Sequence, residues 1–348
     1  MYVARSGDPP AHLSPTRQSI WQAPAVPAAP RSSALSVEAA RAFGGLLSML
    51  DWPELRDVLI HVVGGEGQLW FDYGGRLRQL PEWRASPEAV RAMAVGLIAA
   101  GGRHLDELNP CADVRLGDGI RVHAVLPPAS VTGAAISIRV PRIAPLDFAQ
   151  LTSARFCNSR QRELLSSAVA GHSNLLVTGS TGSGKTTVLA ALLDLVPEHE
   201  RVITIEDVAE LRLTHRHWVA LEARQANSEG VGALSLDRLL REALRMRPDR
   251  IVLGECRGPE LLTLLTALNT GHNGGAGTLH ASSLTDVPAR LEALGALGGL
   301  SAAALARQVC AALHFVVHLE RTATGSHRLV AIGTFLLRDG VLSITEVA

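Results

Sequence analysis

The most specific arrangement of chemistry-bearing residues is Gly179-Ser180-Thr181-Gly182-Ser183-Gly184-Lys185-Thr186, which satisfies G-x-x-x-x-G-K-[ST] in full. It follows an apolar stretch and precedes a helical one, the context such a loop requires. Glycines let the backbone wrap so that successive N–H groups point inward, and the helix start adds the positive end of its dipole. The pattern is expected to cradle the phosphates of a nucleoside triphosphate. Lys185 is placed to reach the β- and γ-phosphates and Thr186 to ligate Mg²⁺, with Thr187 following among the cofactor-binding residues. Lys185 is also the only lysine among 33 Lys and Arg residues. Where arginine serves as the general cation, a retained lysine marks a place that needs a compact ammonium.

Three further strings carry acids or histidines. Arg250-Ile-Val-Leu-Gly254-Glu255 is an apolar strand ending in a carboxylate. Such a strand is expected beside the loop strand, so that Glu255 faces Mg²⁺ and the attacking water. A strand-end glutamate is otherwise often a solvated cap. Ile203-Thr-Ile-Glu206-Asp207 is a second strand ending in acids; Glu206 and Asp207 could orient water or hold Mg²⁺. Thr270-Gly-His272-Asn-Gly-Gly-Ala-Gly277-Thr-Leu-His280 is a glycine-rich loop with two histidines. It could approach a phosphate closely, although a histidine pair in isolation is more often structural.

The elements that must position these groups read as an α/β domain. Strands are expected over 174–178, 201–205, 251–253 and 277–280, and helices over 160–170, 186–196, 235–246 and 259–268. Strands and helices alternating at this spacing imply a parallel sheet covered on both faces. A closing hairpin, 329–337 and 341–347, turns at Asp339-Gly340. Ahead of it, strands over 58–63, 68–73, 120–126 and 134–140 surround a helix over 87–100, with Ser86 as cap and Pro87 first. This is a smaller α+β unit. The expected division is a disordered Pro/Ala-rich tail over 1–35, the α+β domain over 36–140, a linker over 141–152 and the ATPase domain over 153–348. A helix is expected from Ser36 to Leu50.

Composition narrows the classes. The chain has 348 residues, 47% hydrophobic, 19% charged and 4% aromatic, with formal net charge zero. Balanced charge argues against a surface built to neutralise nucleic-acid phosphates. No stretch approaches the roughly 20 apolar residues that span a bilayer, and the start lacks a signal-peptide pattern. Cys111, Cys157, Cys256 and Cys310 are scattered without a CxxC pair, which fits a reduced cytoplasmic chain without a zinc site.

In order and spacing the four strings resemble the Walker A box, Asp box (Glu206-Asp207), Walker B box (Glu255) and His box (His272, His280) of the type II/IV secretion ATPase superfamily. The strings Leu244-Arg-Met-Arg-Pro-Asp-Arg-Ile-Val-Leu-Gly-Glu and Asn269-Thr-Gly-His-Asn-Gly-Gly are similar to its Tad/Cpa pilus-assembly branch. The likeness runs from about residue 45 to 335. Asp118-Gly-Ile-Arg121-Val-His-Ala-Val-Leu-Pro-Pro and Ser137-Ile-Arg139-Val resemble its N-terminal domain. The chain departs from the pattern at Cys256, where an aliphatic residue is usual, and after His280. The resemblance implies a PAS-like domain followed by a RecA-like one, assembled as a homo-hexameric ring. ATP and Mg²⁺ would be used to drive pilin assembly or protein export, through platform proteins of the inner membrane. It makes Arg121 and Arg139 candidate phosphate clamps and Lys185, Glu206, Glu255 and His280 candidate catalytic residues. Thr186, Glu255 and Asp207 are the implied metal ligands, and Gly179–Thr187 with His272 the nucleotide contacts. Arg224, Arg245, Arg247 and Arg257 are further candidates for an arginine finger. Other readings are a conjugation or type IV secretion ATPase supporting DNA transfer, a RecA-like nucleic-acid motor, and a nucleotide-binding switch that barely hydrolyses. The low aromatic content disfavours the nucleic-acid motor.

Overall fold

The computed structural model describes residues 30–141, 146–224, 231–322 and 326–348, and the chain divides after Ala144 into two compact units. Most of the expected tail, 1–29, lies outside the described residues. Its last part is structured: Arg31–Ala34 forms a 3-10 turn, and the buried Arg31 guanidinium donates to the carbonyls of Leu50 and Trp52.

The first unit is a six-stranded antiparallel sheet with two helices. Helix α1 (Val37–Phe43) begins where Ser36 accepts a hydrogen bond from Ala39 N. The helix expected to reach Leu50 stops at Gly44, whose φ of +53° ends the α conformation, and continues as a 3-10 segment, Gly44–Asp51. The strands are β1 (Leu55–Val63), β2 (Glu66–Tyr73), β3 (Arg76–Ala85), β4 (Cys111–Leu116), β5 (Ile120–Val125) and β6 (Ala135–Arg139), in the order β3-β2-β1-β6-β5-β4. Helix α2 (Pro87–Ala100) packs on them, capped by Ser86 with proline in its first turn as expected. Phe43, Leu97, Ile98, Val58, Phe71, Val122 and Ile138 fill the core.

One register sets the character of the other sheet face. Asp72, Asp57, Arg139, Arg121 and Arg115 are successive cross-strand partners on β2, β1, β6, β5 and β4. Direct partners share a face, so three arginines stand in a row on the side away from Val58, Val122 and Ile138. Burial pushes the Asp57 carboxyl up, Arg139 draws it down and Asp72 adds to the rise; the net direction is upward.

The second unit opens with α3 (Phe148–Ser153), closed at its start by a reciprocal Asp147–Gln150 capping box. This falls where a linker was expected. Its eight-stranded sheet has the order β14-β13-β12-β7-β11-β10-β8-β9. The strands are β7 (Leu175–Gly179), β8 (Val202–Glu206), β9 (Trp218–Glu222), β10 (Arg250–Leu253), β11 (Ala276–His280), β12 (Phe315–Arg321), β13 (His327–Arg338) and β14 (Val341–Glu346). Strands β12, β7, β11, β10, β8 and β9 are parallel neighbours; β13 and β14 add antiparallel to one side. The expected Asp339-Gly340 hairpin joins β13 to β14, with φ of +51° and +78° at the two residues. Helices α4 (Ser159–Ala170), α5 (Lys185–Leu193), α6 (Leu236–Ala243), α7 (Glu260–Asn269), α8 (Val287–Leu297) and α9 (Ala302–Ala312) complete the unit. Strands β7, β8 and β10 are buried at every position, as a doubly covered parallel sheet requires. Among the described residues no single helix is long and apolar enough to cross a membrane.

Candidate active site

Strand β7 delivers the glycine-rich loop and α5 leaves it. Gly179, Gly182 and Gly184 have φ of +149°, +72° and +94°, a region in which a side chain is strained. Gly184 is the N-cap of α5, so the loop closes directly onto the positive end of the helix. Gly182 has open space on its exposed side. The Ser183 hydroxyl is buried without a hydrogen-bond partner. An inward-facing orphan donor beside an open glycine suits a phosphate cradle, so the residues fit the nucleotide.

Lys185 is only 7% exposed. Its Nζ donates to the carbonyls of Gly179 and Ser180, both at 2.9 Å, and lies 3.3 Å from His280 Nδ1. Desolvation brings its pKa down to about 8, against the pull of Glu255 and Glu210. His280, at the end of β11, is held down by burial and by the Lys185 charge. Its Nε2 is 3.2 Å from Glu255 Oε1.

Glu255 follows β10. The expectation placed β10 next to the loop strand, but β11 lies between them in the sheet. That insertion is what brings His280 between Lys185 and Glu255. Burial raises the Glu255 carboxyl, but the Arg257 hydrogen bond and charge, with His280 and Lys185, outweigh it and hold it below the usual range. Arg257 bridges two acids: Glu255 Oε2 at 2.7 Å and Asp207 Oδ2 at 3.2 Å. Glu260 fixes the intervening turn by accepting from Arg257 N and Gly258 N, both at 2.7 Å. Cys256 is fully within the core against α7 and β11, where a small apolar group is what the packing needs.

Two expected site residues make other contacts, Glu206 beside Gly254 and His272 before β11. Glu206 is 4% exposed, and its Oε1 accepts from Glu210 N and Leu211 N, both at 3.1 Å. Burial pushes its pKa up to about 7. It closes its own following loop, and the exposed Asp207 is the member of that pair that meets Arg257. His272 precedes β11, whereas the glycine-rich loop adjoins the end of that strand, where His280 pairs with Gly179. A five-residue strand is about 16 Å long, so His272 does not meet the loop within the chain. Arg245, in the turn after α6, is paired with Glu242 at 3.5 Å, Arg224 is bridged through its backbone to Leu234, and Arg247 is an exposed residue before β10. Arg121 and Arg139 belong to the first unit.

Sequence reasoning did not single out His318 or His327. His318, on β12, is 1% exposed and its Nδ1 lies 2.9 Å from the hydroxyl of Thr178, the residue before the loop. His327, at the start of β13, lies 2.9 Å through Nδ1 from the carbonyl of Ser183. Neither lies in a motif, and only the strand register brings them to the loop.

The description of type II/IV secretion system proteins matches residues 57–334. The chain belongs to that family. A Mycobacterium tuberculosis protein named "Putative conjugal transfer protein" is 46% identical over 285 residues, covering 80% of this chain and 81% of its own length. The type IV secretion system protein PtlH of Bordetella pertussis is 34% identical, covering 68% of this chain and 77% of its own. The protein VirB11 of Agrobacterium fabrum is 30% identical, covering 68% and 75%. The fold matches that of the Yersinia pseudotuberculosis ATPase DotB, with a TM-score of 0.59, 20% identity, and 86% and 80% of the two chains covered. It also matches the pilus retraction motor PilT with bound ADP, with a TM-score of 0.57, 22% identity, and 80% and 78% covered. This secretion ATPase is therefore an ATP-hydrolysing enzyme of two units, with the RecA-like one carrying the phosphate loop.

Proposed function

We propose that this secretion ATPase is the homo-hexameric motor of a Tad/Flp-type pilus-assembly or protein-secretion system. It would work at the cytoplasmic side of the inner membrane through platform proteins. The observation that carries the catalytic part is the unbroken chain Lys185–His280–Glu255–Arg257–Asp207 at the mouth of the glycine-rich loop. The loop amides and Lys185 bind the β- and γ-phosphates, for which Lys185 exchanges its contacts with the Gly179 and Ser180 carbonyls. Glu255, ionised, orients the attacking water and accepts its proton. His280 steadies that carboxylate from one side and Arg257 from the other.

Mg²⁺, when bound, supplies charge neutralisation on the phosphate oxygens, and Thr186, Glu255 and Asp207 would hold it. Arg121 and Arg139 are the phosphate clamps that the family resemblance implies.

Turnover assays test the assignment. Lys185→Ala is expected to lose both ATP binding and hydrolysis. Glu255→Gln is expected to keep binding within about threefold while hydrolysis falls by about 10² or more. Wild-type turnover in either variant would remove the corresponding role. The Mycobacterium tuberculosis relative's name favours conjugal transfer as the second reading; a chain encoded beside a relaxase rather than beside pilins would select it.

A further inference from the structure

We propose that His327 is a positioning residue of the nucleotide site: from β13, it holds the last turn of the phosphate loop in its binding shape. This rests on the nucleotide-binding reading of the loop and adds a residue outside its motif. The loop is fixed at its start by β12. There His318 meets Thr178, and the Leu319 carbonyl packs against the face of Gly179 that a side chain would fill. Among the described residues no strand pairs with its far end, and His327 takes that place.

The geometry fixes how. The Ser183 carbonyl can only accept, so Nδ1 of His327 carries the proton and donates across 2.9 Å. The same ring lies against Gly184, with Nδ1, Cγ and Cε1 at 3.3, 3.7 and 3.9 Å from where a Cβ would stand. The imidazole therefore braces both the carbonyl that leaves the loop and the N-cap of α5. Turning the Ser183 carbonyl toward His327 turns the following amide, that of Gly184, the opposite way. That amide belongs to the set that must face the phosphates. The loop carries three glycines with positive φ, so its backbone has wide conformational freedom unless something outside it holds it.

The test compares three variants with wild type and Lys185→Ala, reading affinity for a fluorescent ADP analogue, KM for ATP, kcat and nucleotide-free melting temperature. His327→Ala is expected to weaken ADP binding and raise KM by about three- to tenfold, the worth of one net hydrogen bond, with kcat within twofold. His327→Asn keeps a donor where Nδ1 stands and is expected to restore affinity to within twofold. His327→Leu, which fills the space without donating, is expected to behave like alanine.

Unchanged affinity in His327→Ala overturns the proposal, and so does Asn performing no better than Leu. Should alanine lower the melting temperature, the Asn-against-Leu comparison decides, since both fill the site. If Lys185→Ala binds ADP normally, the nucleotide reading of the loop has failed; if only the His327 variants bind normally, this inference alone has failed.

Discussion

At the scale of single residues, the site rests on an ammonium kept in an unfavourable place. Lys185 is buried against two carbonyls and a neutral imidazole, and its pKa of about 8 is the consequence of desolvation. Phosphate contact returns it toward its ordinary value near 10.5, so nucleotide binding takes up a proton when the pH is above 8. Affinity for ADP is expected to fall by up to tenfold per pH unit from pH 8 to 9.5. Calorimetry at pH 9 in two buffers of different ionisation enthalpy checks it; equal heats in both would contradict it. The stability of the nucleotide-free chain carries the opposite sign. The folded chain binds fewer protons at Lys185 than the unfolded chain between pH 8 and 10.5, so this residue makes stability rise across that window. Lys185, Glu255 and His280 were legible as residues because a loop motif and two strand ends leave few places for them to go. Glu206 was not, because the 3.1 Å bonds to Glu210 N and Leu211 N are made by a loop with no sequence signature.

At the scale of elements, a Glu206 variant checks directly whether that residue closes its loop or takes part in hydrolysis. Its folded pKa of about 7 lies above the ordinary 4.5, so the folded chain binds more protons between these values and stability falls as the pH rises through them. Glu206→Gln keeps an acceptor for both amides without the charge. It is expected to stabilise the chain by about 1–3 kcal/mol at pH 8, with the gain gone near pH 4.5. ATP turnover should stay within about threefold, a small change beside those of general-base loss. Thermal unfolding across pH and a turnover assay read both parts, and loss of hydrolysis would restore a catalytic role. The strands that position the site were readable where they are wholly buried and mostly apolar, as β7 and β10 are. Strand β3 was not, because it is an outer strand whose pairing jumps from Arg84 to Gln79 opposite Gln68 and Trp70. That irregularity accommodates Pro81 and erases the alternation by which a strand is recognised. Strand β9 is five residues at the sheet edge, with Ala220 exposed and the other four half-buried. Helix α3 lies next to a proline-containing stretch, and only its Asp147–Gln150 box, overlooked beside the prolines, signals it. Strand order was beyond reach: nothing in 250–255 says that 276–280 will lie between it and the loop strand.

At the scale of the whole molecule, the chain is two units with different jobs. The second holds the phosphate loop and its acids, and the first presents Arg115, Arg121 and Arg139 side by side on one sheet face. Arg121→Ala and Arg139→Ala are each expected to lower turnover by about tenfold or more, as removal of a charge-stabilising arginine does. The Arg121→Ala melting temperature should match wild type, because the residue lies on the face away from the core; Arg139→Ala removes the charge that offsets Asp57 and should melt slightly lower. Unchanged turnover in both would reject the clamp. Hexamer formation is checked by mass in solution with a non-hydrolysable ATP analogue, where the assembled ring is expected; a monomer at every concentration would contradict it.

The measurement closest to the centre of this account is a calorimetric titration of ATP with Mg²⁺ into the folded chain and into Lys185→Ala. Saturable heat in the first and none in the second, with identical circular dichroism, is the expected result. A well-folded wild-type chain that gives no heat, or a variant that binds as tightly, would contradict the claim that the backbone amides ahead of α5 and this one ammonium hold the triphosphate.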